Sequence, residues 1–276
     1  MTRDLYMSIR DGYTRNPDSI INIEAEHFNK ILSGLKEHYF QIEDDFNEAS
    51  ILSDFWKRYA PRQRGRGPIE DSYPWGEVGE KVLDAHLYQI ISNVYNDAEF
   101  VGLPYGHDVR YATNNAFVHI DIKSTGPRDN LDEVVSSPNQ VSGDGLFCDE
   151  YGVYNTPVNV LGHRRSLVFQ PELPPFYIIN DTPRLTLTFY LKCAYDVVSI
   201  GNQPLKYLEL ICVPNGLLMF DTLHYQNTPF LMIPGKDTQE SIHKRTRIRL
   251  NPLTQIAKWR CVKIYNNGGT IAESNR

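Results

Sequence analysis

The segment Phe117–Lys123 constrains the fold most, because β-branched residues alternate along it with aromatic, imidazole and charged residues. The β-branched set is Val118, Ile120 and Ile122. Successive side chains of a β-strand point to opposite faces of the sheet, so this set is predicted to enter a core. Asp121 and Lys123 then lie together on the opposite face. The chain is therefore predicted to contain a sheet that carries a carboxylate beside an ammonium group.

The remaining periodicities predict one mixed α/β domain with its helices mostly first. Apolar residues recur at helical spacing over about 20–58 and from Trp75 to about Tyr95. The segment Pro61–Pro74 is rich in Arg, Gly and Pro and is predicted to be a loop. The 276 residues are 41% hydrophobic, which is enough for a sizeable core. Further β-rich segments are Pro175–Ile179, Leu185–Cys193, Leu208–Val213 and Leu217–Phe220.

Composition argues against several classes of protein. No apolar run approaches the ~20 residues that a membrane-spanning helix needs, so we expect no contact with a membrane. No apolar segment follows Met1–Leu5, so we expect no secretory signal. The cysteines lie far apart, without the paired spacing of a zinc site or a disulfide framework. They are Cys148, Cys193, Cys212 and Cys261. These features predict a protein of the reducing cytoplasm.

The charge distribution admits two interpretations. A net charge of −6 argues against a non-specific nucleic-acid binder. Basic residues nevertheless cluster at about 57–66, 163–165 and 244–249. An acidic protein with local basic stripes can bind DNA at one defined surface. Such clusters are also common as ordinary solvated faces, and charge alone does not decide between the two.

A second carboxylate, Asp108, precedes Asp121 by 13 residues, and Asp followed by Asp-x-Lys is the spacing of the PD-(D/E)xK nucleases. Two carboxylates can hold Mg²⁺, a hard cation that prefers oxygen ligands, and the backbone carbonyl of Ile122 can complete the set. The metal would acidify a bound water, which Lys123 would orient while stabilising the transition state. A structural ion pair between Asp121 and Lys123 is the alternative.

Glu77 is a further candidate metal ligand. It lies in the first turn of the helix predicted from Trp75. The alternative is a solvated glutamate at a helix start, where the helix dipole favours negative charge.

A series of ordered sequence blocks carries a resemblance to one family. The blocks are Pro74–Lys81, Gly102–Pro104, Asp108–Tyr111, Asp121–Ser124, Gly126–Asp129, Ser137–Gly143, Val213–Leu217, Pro234–Asp237 and Lys244–Arg247. On these blocks, over about 44–260, the chain resembles the BglI-like type II restriction endonucleases of the PD-(D/E)xK nuclease superfamily. The resemblance implies an α/β, restriction-endonuclease-like fold with a mixed central β-sheet flanked by helices. We divide the single domain, 1–276, into a helical N-terminal part, about 1–97, and a catalytic and DNA-reading sheet, about 98–265.

The same resemblance implies a Mg²⁺-dependent homodimer that cuts double-stranded DNA at a specific sequence and leaves 3′ overhangs. It implies that Asp108, Asp121 and Lys123 are catalytic, with Asp108 and Asp121 as metal ligands. A restriction system also implies a cognate DNA methyltransferase, without a stable complex, in a bacterial or archaeal cytoplasm. We expect the dimer surface in the helical region of about 20–58.

The resemblance places the DNA-binding residues in two stretches of the chain. These residues are Arg128, Asp129, Lys236, Asp237, Arg245 and Arg247. Arg245 and Arg247 lie two residues apart, so they would share a strand face and could each reach a guanine O6/N7 edge. Asp129 could accept a hydrogen bond from cytosine N4. Phosphate binding, or solubility alone, is the alternative for the two arginines.

The expected recognition sequence is a G·C-rich interrupted palindrome, GCCNNNNNGGC or a relaxed relative such as GCNNNNNNNGC. The relaxed form is considered because Thr238 stands where the family carries an acidic residue, and because the span to Lys244 is shortened. An ungapped match would select Arg247 and Arg249 in place of Arg245 and Arg247. Two other functions stay open: a structure-specific PD-(D/E)xK nuclease, and a non-catalytic DNA-binding protein of the same fold.

Overall fold

A long mixed β-sheet separates a helical side of the molecule from a β-rich side. The computed structural model describes residues 2–48, 75–102, 106–150, 152–162, 164, 166–198, 203–220, 231–235 and 244–276. The predicted loop Pro61–Pro74 and the basic cluster at about 57–66 lie outside the described residues, as do Lys236 and Asp237.

The helical side is formed by the N-terminal helices and one later helix. They are α1 (Arg3–Arg15), α2 (Pro17–Glu37), α3 (Tyr39–Glu48) and α4 (Trp75–Val94). The predicted helices are confirmed as far as the described residues extend. α1 lies within the part of about 1–97 that was expected to be helical, but it was not predicted as a separate helix. Tyr6 and Arg10 of α1 are buried, and Met7, Ile9 and Tyr13 pack against the core in partly buried positions. No helix in the described part of the chain is both long enough and apolar enough to cross a membrane.

Fifteen strands in the described residues follow the helices or lie between them. They are β1 (Glu99–Phe100), β2 (Val109–Ala112), β3 (Ala116–Thr125), β4 (Glu133–Ser136), β5 (Leu146–Cys148), β6 (Gly152–Tyr154), β7 (Val158–Leu161), β8 (Ser166–Phe169), β9 (Phe176–Ile179), β10 (Thr182–Tyr195), β11 (Leu205–Val213), β12 (Met232–Pro234), β13 (Thr246–Arg249), β14 (Cys261–Asn267) and β15 (Thr270–Asn275). The predicted strand Phe117–Lys123 is confirmed within β3.

The central sheet has the order β1-β2-β3-β10-β11-β14-β15, and β9 pairs with β10. β3 and β10 run parallel, with Asp121 opposite Tyr190 and Lys123 opposite Lys192. Parallel neighbours need a long crossover, and the crossover here contains β4 to β9. A separate three-stranded sheet has the order β12-β13-β4, so it combines a strand from the crossover with two from the C-terminal part.

One predicted strand, Leu217–Phe220, is wrong. The residues lie at a short helix, α5 (Gly216–Met219), because the side chain of Asn215 accepts a hydrogen bond from the N–H of Leu217 at 3.0 Å. Such a cap starts a helical turn, and a short apolar run does not distinguish a strand from a buried turn. A further helix, α6 (Leu250–Ile256), and two 3₁₀ turns, Pro138–Gln140 and Lys258–Arg260, complete the described elements.

Both faces of the central sheet are buried in cores. The core on the helical side contains the predicted set from β3, Val118, Ile120 and Ile122, against the apolar faces of α2 and α4. The core on the other side joins Tyr190 and Ile211 of the central sheet to the three-stranded sheet, the β7–β8 hairpin and α6. The polar face of β3 is therefore covered by the β-rich side.

A charged network connects the last strand of the central sheet to the start of β4. Arg276 donates from Nε to Glu209 at 2.6 Å and also pairs with Asp132. Glu209 is fully buried and lies opposite Lys192 in the β10–β11 register. Burial lowers the pKa of Lys192 to about 8, against the opposing pull of Glu209. The network holds the edge of the β-rich side against the central sheet.

We predict that Arg276→Ala lowers the free energy of unfolding by about 3 kcal/mol, because it leaves the buried Glu209 carboxylate without its closest cation. Arg15→Ala is the matched control. Arg15 is 80% exposed and lies 3.7 Å from Asp11, so its loss should change stability by less than about 0.5 kcal/mol. Chemical denaturation monitored by circular dichroism measures the free energy of unfolding of both variants. Equal losses of stability in the two variants would contradict a structural role for the network.

Candidate active site

The β2–β3 hairpin brings Asp108 to the side of β3. The backbone N–H of Asp108 donates to the carbonyl of Ile120 at 3.1 Å. Its carboxylate Oδ2 accepts from the N–H of Ile122 at 2.6 Å. The Asp108 side chain is therefore fixed next to Asp121 by main-chain contacts, although the two aspartates are separated in sequence by the whole hairpin turn.

Asp121 is a buried carboxylate with two side-chain partners. It is 5% exposed, Oδ1 accepts from Nε2 of Gln140 at 2.5 Å, and Oδ2 pairs with Nζ of Lys123. Burial raises the pKa of Asp121 to about 7; Lys123 opposes the rise and Asp108 adds to it. A cation beside two such carboxylates would favour their charged forms.

Lys123 lies at the boundary between the two sides of the molecule. Its side chain is 26% exposed, and Nζ lies 5.6 Å from the ring centre of Tyr190. The hydroxyl of Tyr190 is 2.5 Å from Oγ of Ser136, which joins β10 to β4. Asp108, Asp121 and Lys123, the three residues that the sequence grouped as catalytic, are thus brought together at one end of β3.

The donor set at this end of β3 fits a hard divalent cation. In a β-strand the N–H and C=O of one residue point to the same neighbouring strand, so the carbonyl of Ile122 faces the side on which Asp108 lies. Two carboxylates and one carbonyl are oxygen ligands of the kind that Mg²⁺ takes, with water in its other positions. No group of three or more His, Cys, Asp or Glu side chains suited to a metal occurs among the described residues, which leaves this smaller oxygen set as the candidate.

Gln140 was not predicted from the sequence as a functional residue. Its Nε2 donates to Asp121 and also to the carbonyl of Gly106, at 2.6 Å, while its Oε1 accepts from the N–H of Ser137 at 2.9 Å. Ser137 and Gln140 form a capping box around the 3₁₀ turn, and this Ser-x-x-Gln pattern is the sequence signal that could have identified it. The amide holds the Asp121 carboxylate and the loop before Asp108 in one arrangement.

The acidic face of α4 approaches the same carboxylates. The backbone of Glu77 lies in α4, but its side chain is outside the described residues. Glu80 contributes to the raised pKa of Asp121. Burial raises the pKa of Asp84, with Lys81 opposing and Asp108 adding to the rise. The sequence analysis missed Glu80 and Asp84, which follow Glu77 at helical intervals on one face.

The close approach of α4 to the sheet depends on Gly79. A Cβ at this position would lie 2.8 Å from Oγ of Ser124 and 3.1 Å from Phe46. A side chain at Gly79 would therefore push α4 away from β3, and with it the acidic face that borders the aspartates.

Two buried histidine side chains pack against each other next to the aspartates. The rings of His107 and His119 lie 4.6 Å apart, and His119 also packs against Phe117. Burial lowers the pKa of both, that of His119 to about 3. They are therefore neutral at pH 7 and do not compete with a cation for the carboxylates.

A cleft joins Lys123 to two of the predicted DNA-binding residues. The cavity of about 130 Å³ between β3 and the three-stranded sheet is lined by Lys123, Asp129, Glu133 and Arg247, among others. Oδ2 of Asp129 accepts from the N–H of Gly126 at 2.9 Å. The guanidinium of Arg247 lies 2.8 Å from Glu133, a residue that the sequence analysis did not identify.

The other predicted DNA-binding residues lie around the cleft or beyond the described chain. Arg128 is exposed beside Asp129. Arg245 precedes β13, and its carbonyl accepts from the N–H of Gly235 at 3.1 Å. Arg247 and Arg249 share one partly exposed face of β13, whereas Thr246 and Ile248 are buried. Lys236 and Asp237 are outside the described residues.

Comparisons with known proteins agree on one family. The sequence profile of the family described as restriction endonuclease BglI matches residues 1–264. The type II restriction enzyme BglI of Bacillus subtilis is 35% identical over 266 aligned residues, which cover 87% of this chain and 89% of the relative.

Solved structures give the same result for the fold. The crystal structure of the restriction endonuclease BglI bound to its DNA recognition sequence matches with a TM-score of 0.83 and 30% identity, covering 98% of this chain and 95% of that one. The tetrameric restriction endonuclease SfiI bound to cognate DNA matches with a TM-score of 0.66 over 94% of each chain. At 10% identity, SfiI supports the fold alone.

Proposed function

This chain belongs to the BglI family of type II restriction endonucleases, and from that premise we propose that it is a Mg²⁺-dependent homodimer that cuts DNA at a G·C-rich interrupted palindrome. The proposed sequence is GCCNNNNNGGC or a relaxed relative such as GCNNNNNNNGC, with 3′ overhangs. The observation that carries the proposal is the meeting of Asp108, Asp121 and Lys123 at one end of β3. Of these three residues, Lys123 also lines the cleft that contains Asp129 and Arg247.

Asp108, Asp121 and the carbonyl of Ile122 would hold Mg²⁺. When bound, the metal supplies an acidified water and neutralises charge on the phosphoryl oxygens. Asp108 is pinned by the N–H of Ile122 and Asp121 by Gln140, so both ligands are oriented before the substrate arrives. Glu77 remains a proposed additional ligand, next to the acidic residues of α4.

Lys123 is proposed to act on the attacking water and on the scissile phosphate. Its ammonium group pairs with Asp121, so it is held within reach of any ligand that this carboxylate binds. An ammonium donor beside the phosphate stabilises the negative charge that develops in the transition state. The neighbouring Tyr190 ring limits the directions in which the lysine can move.

Sequence specificity is proposed to come from the cleft side of the three-stranded sheet. Asp129 suits a cytosine N4 donor, and Arg247, with Arg245, suits guanine O6/N7 acceptors. Arg128, Lys236 and Asp237 are proposed to complete the DNA contacts. The nearness of Asp129 and Arg247 to Lys123 would set the cut position relative to the bases that are read.

An interrupted palindrome requires two identical readers related by a dyad, so we propose a homodimer on double-stranded DNA. The apolar face of α2 is buried in the core. A dimer contact in the region of about 20–58 would therefore use the outer faces of the helices. A cognate methyltransferase would protect the host DNA without a stable complex, in a bacterial or archaeal cytoplasm.

Digestion of a sequenced bacteriophage genome in Mg²⁺, followed by sequencing of the fragment ends, tests this function. We expect discrete fragments whose ends share one G·C-rich interrupted palindrome, because specificity is built into the cleft. Preferential cutting of branched DNA would instead indicate a structure-specific nuclease. Stable binding to a palindromic duplex with no cutting would indicate a non-catalytic DNA-binding protein.

We predict that Gln140→Ala lowers the cutting rate by roughly 10- to 100-fold, since partners that orient metal ligands typically have effects of this size. The Mg²⁺ concentration for half-maximal rate should rise, while DNA affinity stays nearly unchanged. Gln170→Ala is the matched control, because Gln170 is exposed and its Nε2 donates to the carbonyl of Asn155 at 3.1 Å. An unchanged metal dependence in Gln140→Ala would show that the amide does not orient Asp121 for metal binding.

A further inference from the structure

Glu133 and Arg247 form an ion pair across two strands of the three-stranded sheet. Nη1 of Arg247 lies 2.8 Å from Oε1 of Glu133. In the antiparallel register Arg247 is opposite Val135 and Arg249 is opposite Glu133, so Glu133 is a diagonal neighbour of Arg247 on the same face. The Glu133 side chain is 9% exposed and that of Arg247 is 21% exposed. A nearly buried carboxylate therefore holds the guanidinium at the wall of the cleft.

The main chain around Glu133 is fixed to the central sheet. Nζ of Lys192 donates to the carbonyl of Leu131 at 2.6 Å and approaches that of Glu133 at 3.4 Å. Lys192 is 1% exposed and lies opposite Lys123 in the parallel β3–β10 register. The position of the Glu133 carboxylate is thus set relative to the strand that carries the catalytic lysine.

The charge of Glu133 discriminates between the two ligands that Arg247 could take. A phosphate oxygen near Arg247 would also meet the negative carboxylate, so the pair gains less from a phosphate than a lone arginine would. A guanine edge carries neutral acceptors, so its recognition depends mainly on the direction of the N–H donors. Arginine presents several N–H donors in one rigid plane, and binding through Nη1 fixes the orientation of that plane.

We propose that Glu133 is a positioning residue that aims the guanidinium of Arg247 at a base edge and thereby sets the preference for one base pair of the recognition sequence. The inference rests on the proposed role of Arg247 in DNA reading. Glu133 acts through Arg247 and need not touch the DNA itself.

The test measures cutting rates on duplexes in which each base pair of the enzyme's own half-site, determined from its fragment ends, is varied in turn. We expect Arg247→Ala to reduce discrimination at one base pair by roughly 5- to 100-fold. Glu133→Ala should reduce discrimination at the same pair, and the double variant should be no worse than Arg247→Ala alone, because coupled residues are not additive. Glu133→Gln, which keeps an acceptor for Nη1, should retain most of the preference.

Glu172→Ala is the control and should keep the wild-type preference, because Glu172 is exposed and is not among the residues that line the cleft. If Glu133→Ala does not fold, Glu133→Asp takes its place, because its carboxylate is withdrawn by one methylene group. Glu133→Asp must then reduce the preference at the same base pair. A purely structural Glu133 would lower the unfolding temperature and slow the cutting of all duplexes equally, which would overturn the inference.

The outcomes separate the inference from the function on which it rests. If Arg247→Ala changes the preference at no base pair, base reading by Arg247 is wrong, and the role of Glu133 falls with it. If Arg247→Ala reduces the discrimination at one base pair while Glu133→Ala leaves it unchanged, base reading by Arg247 stands and the positioning role of Glu133 is wrong. Additive losses in the double variant would also contradict positioning.

Discussion

The parallel pairing of β3 with β10 is the interaction on which the rest of the structure depends. It places Asp121 beside Tyr190 and Lys123 beside Lys192, and it buries the apolar set of β3 under α2 and α4. Two parallel strands cannot be joined by a tight turn, so the chain must leave the sheet between them. The residues that leave form β4, the first strand of the three-stranded sheet that borders the cleft. The candidate catalytic residues and the candidate DNA-reading residues are thereby placed by one connection of the chain.

The polar face of these paired strands is buried, where a polar group without a partner costs free energy, and two of its side chains bond to the β-rich side. Tyr190 reaches Ser136, and Lys192 reaches the carbonyls of Leu131 and Glu133. The same contacts locate the cleft side of β4 and β13. A requirement of folding, the satisfaction of buried polar groups, thus fixes the distance between the candidate cutting residues and the candidate reading residues.

The sequence predicted the parts of this arrangement that depend on local period and spacing. Phe117–Lys123 and the helix from Trp75 were identified because their apolar patterns are regular, and Asp108, Asp121 and Lys123 because their spacing is known. Resemblance was needed for Asp129 and Arg247. Glu133 escaped prediction because its partner, Arg247, is far away in sequence, and a pairing of that kind leaves no local pattern. The capping pattern of Ser137 and Gln140 indicates a turn, but it does not indicate the contact of Gln140 with the distant Asp121. The short helix α5 was mistaken for a strand because its cap, Asn215, outweighs an ambiguous apolar run.

Single-turnover cleavage of a cognate duplex by Asp121→Asn tests the central claim most directly. Asparagine has nearly the shape of aspartate and can still accept from Gln140, so the fold should be retained while a charged metal ligand is lost. We expect this variant to bind the duplex but to form no product in Mg²⁺. Product formation at the wild-type rate would contradict it, because the end of β3 would then not be the site of phosphodiester cleavage.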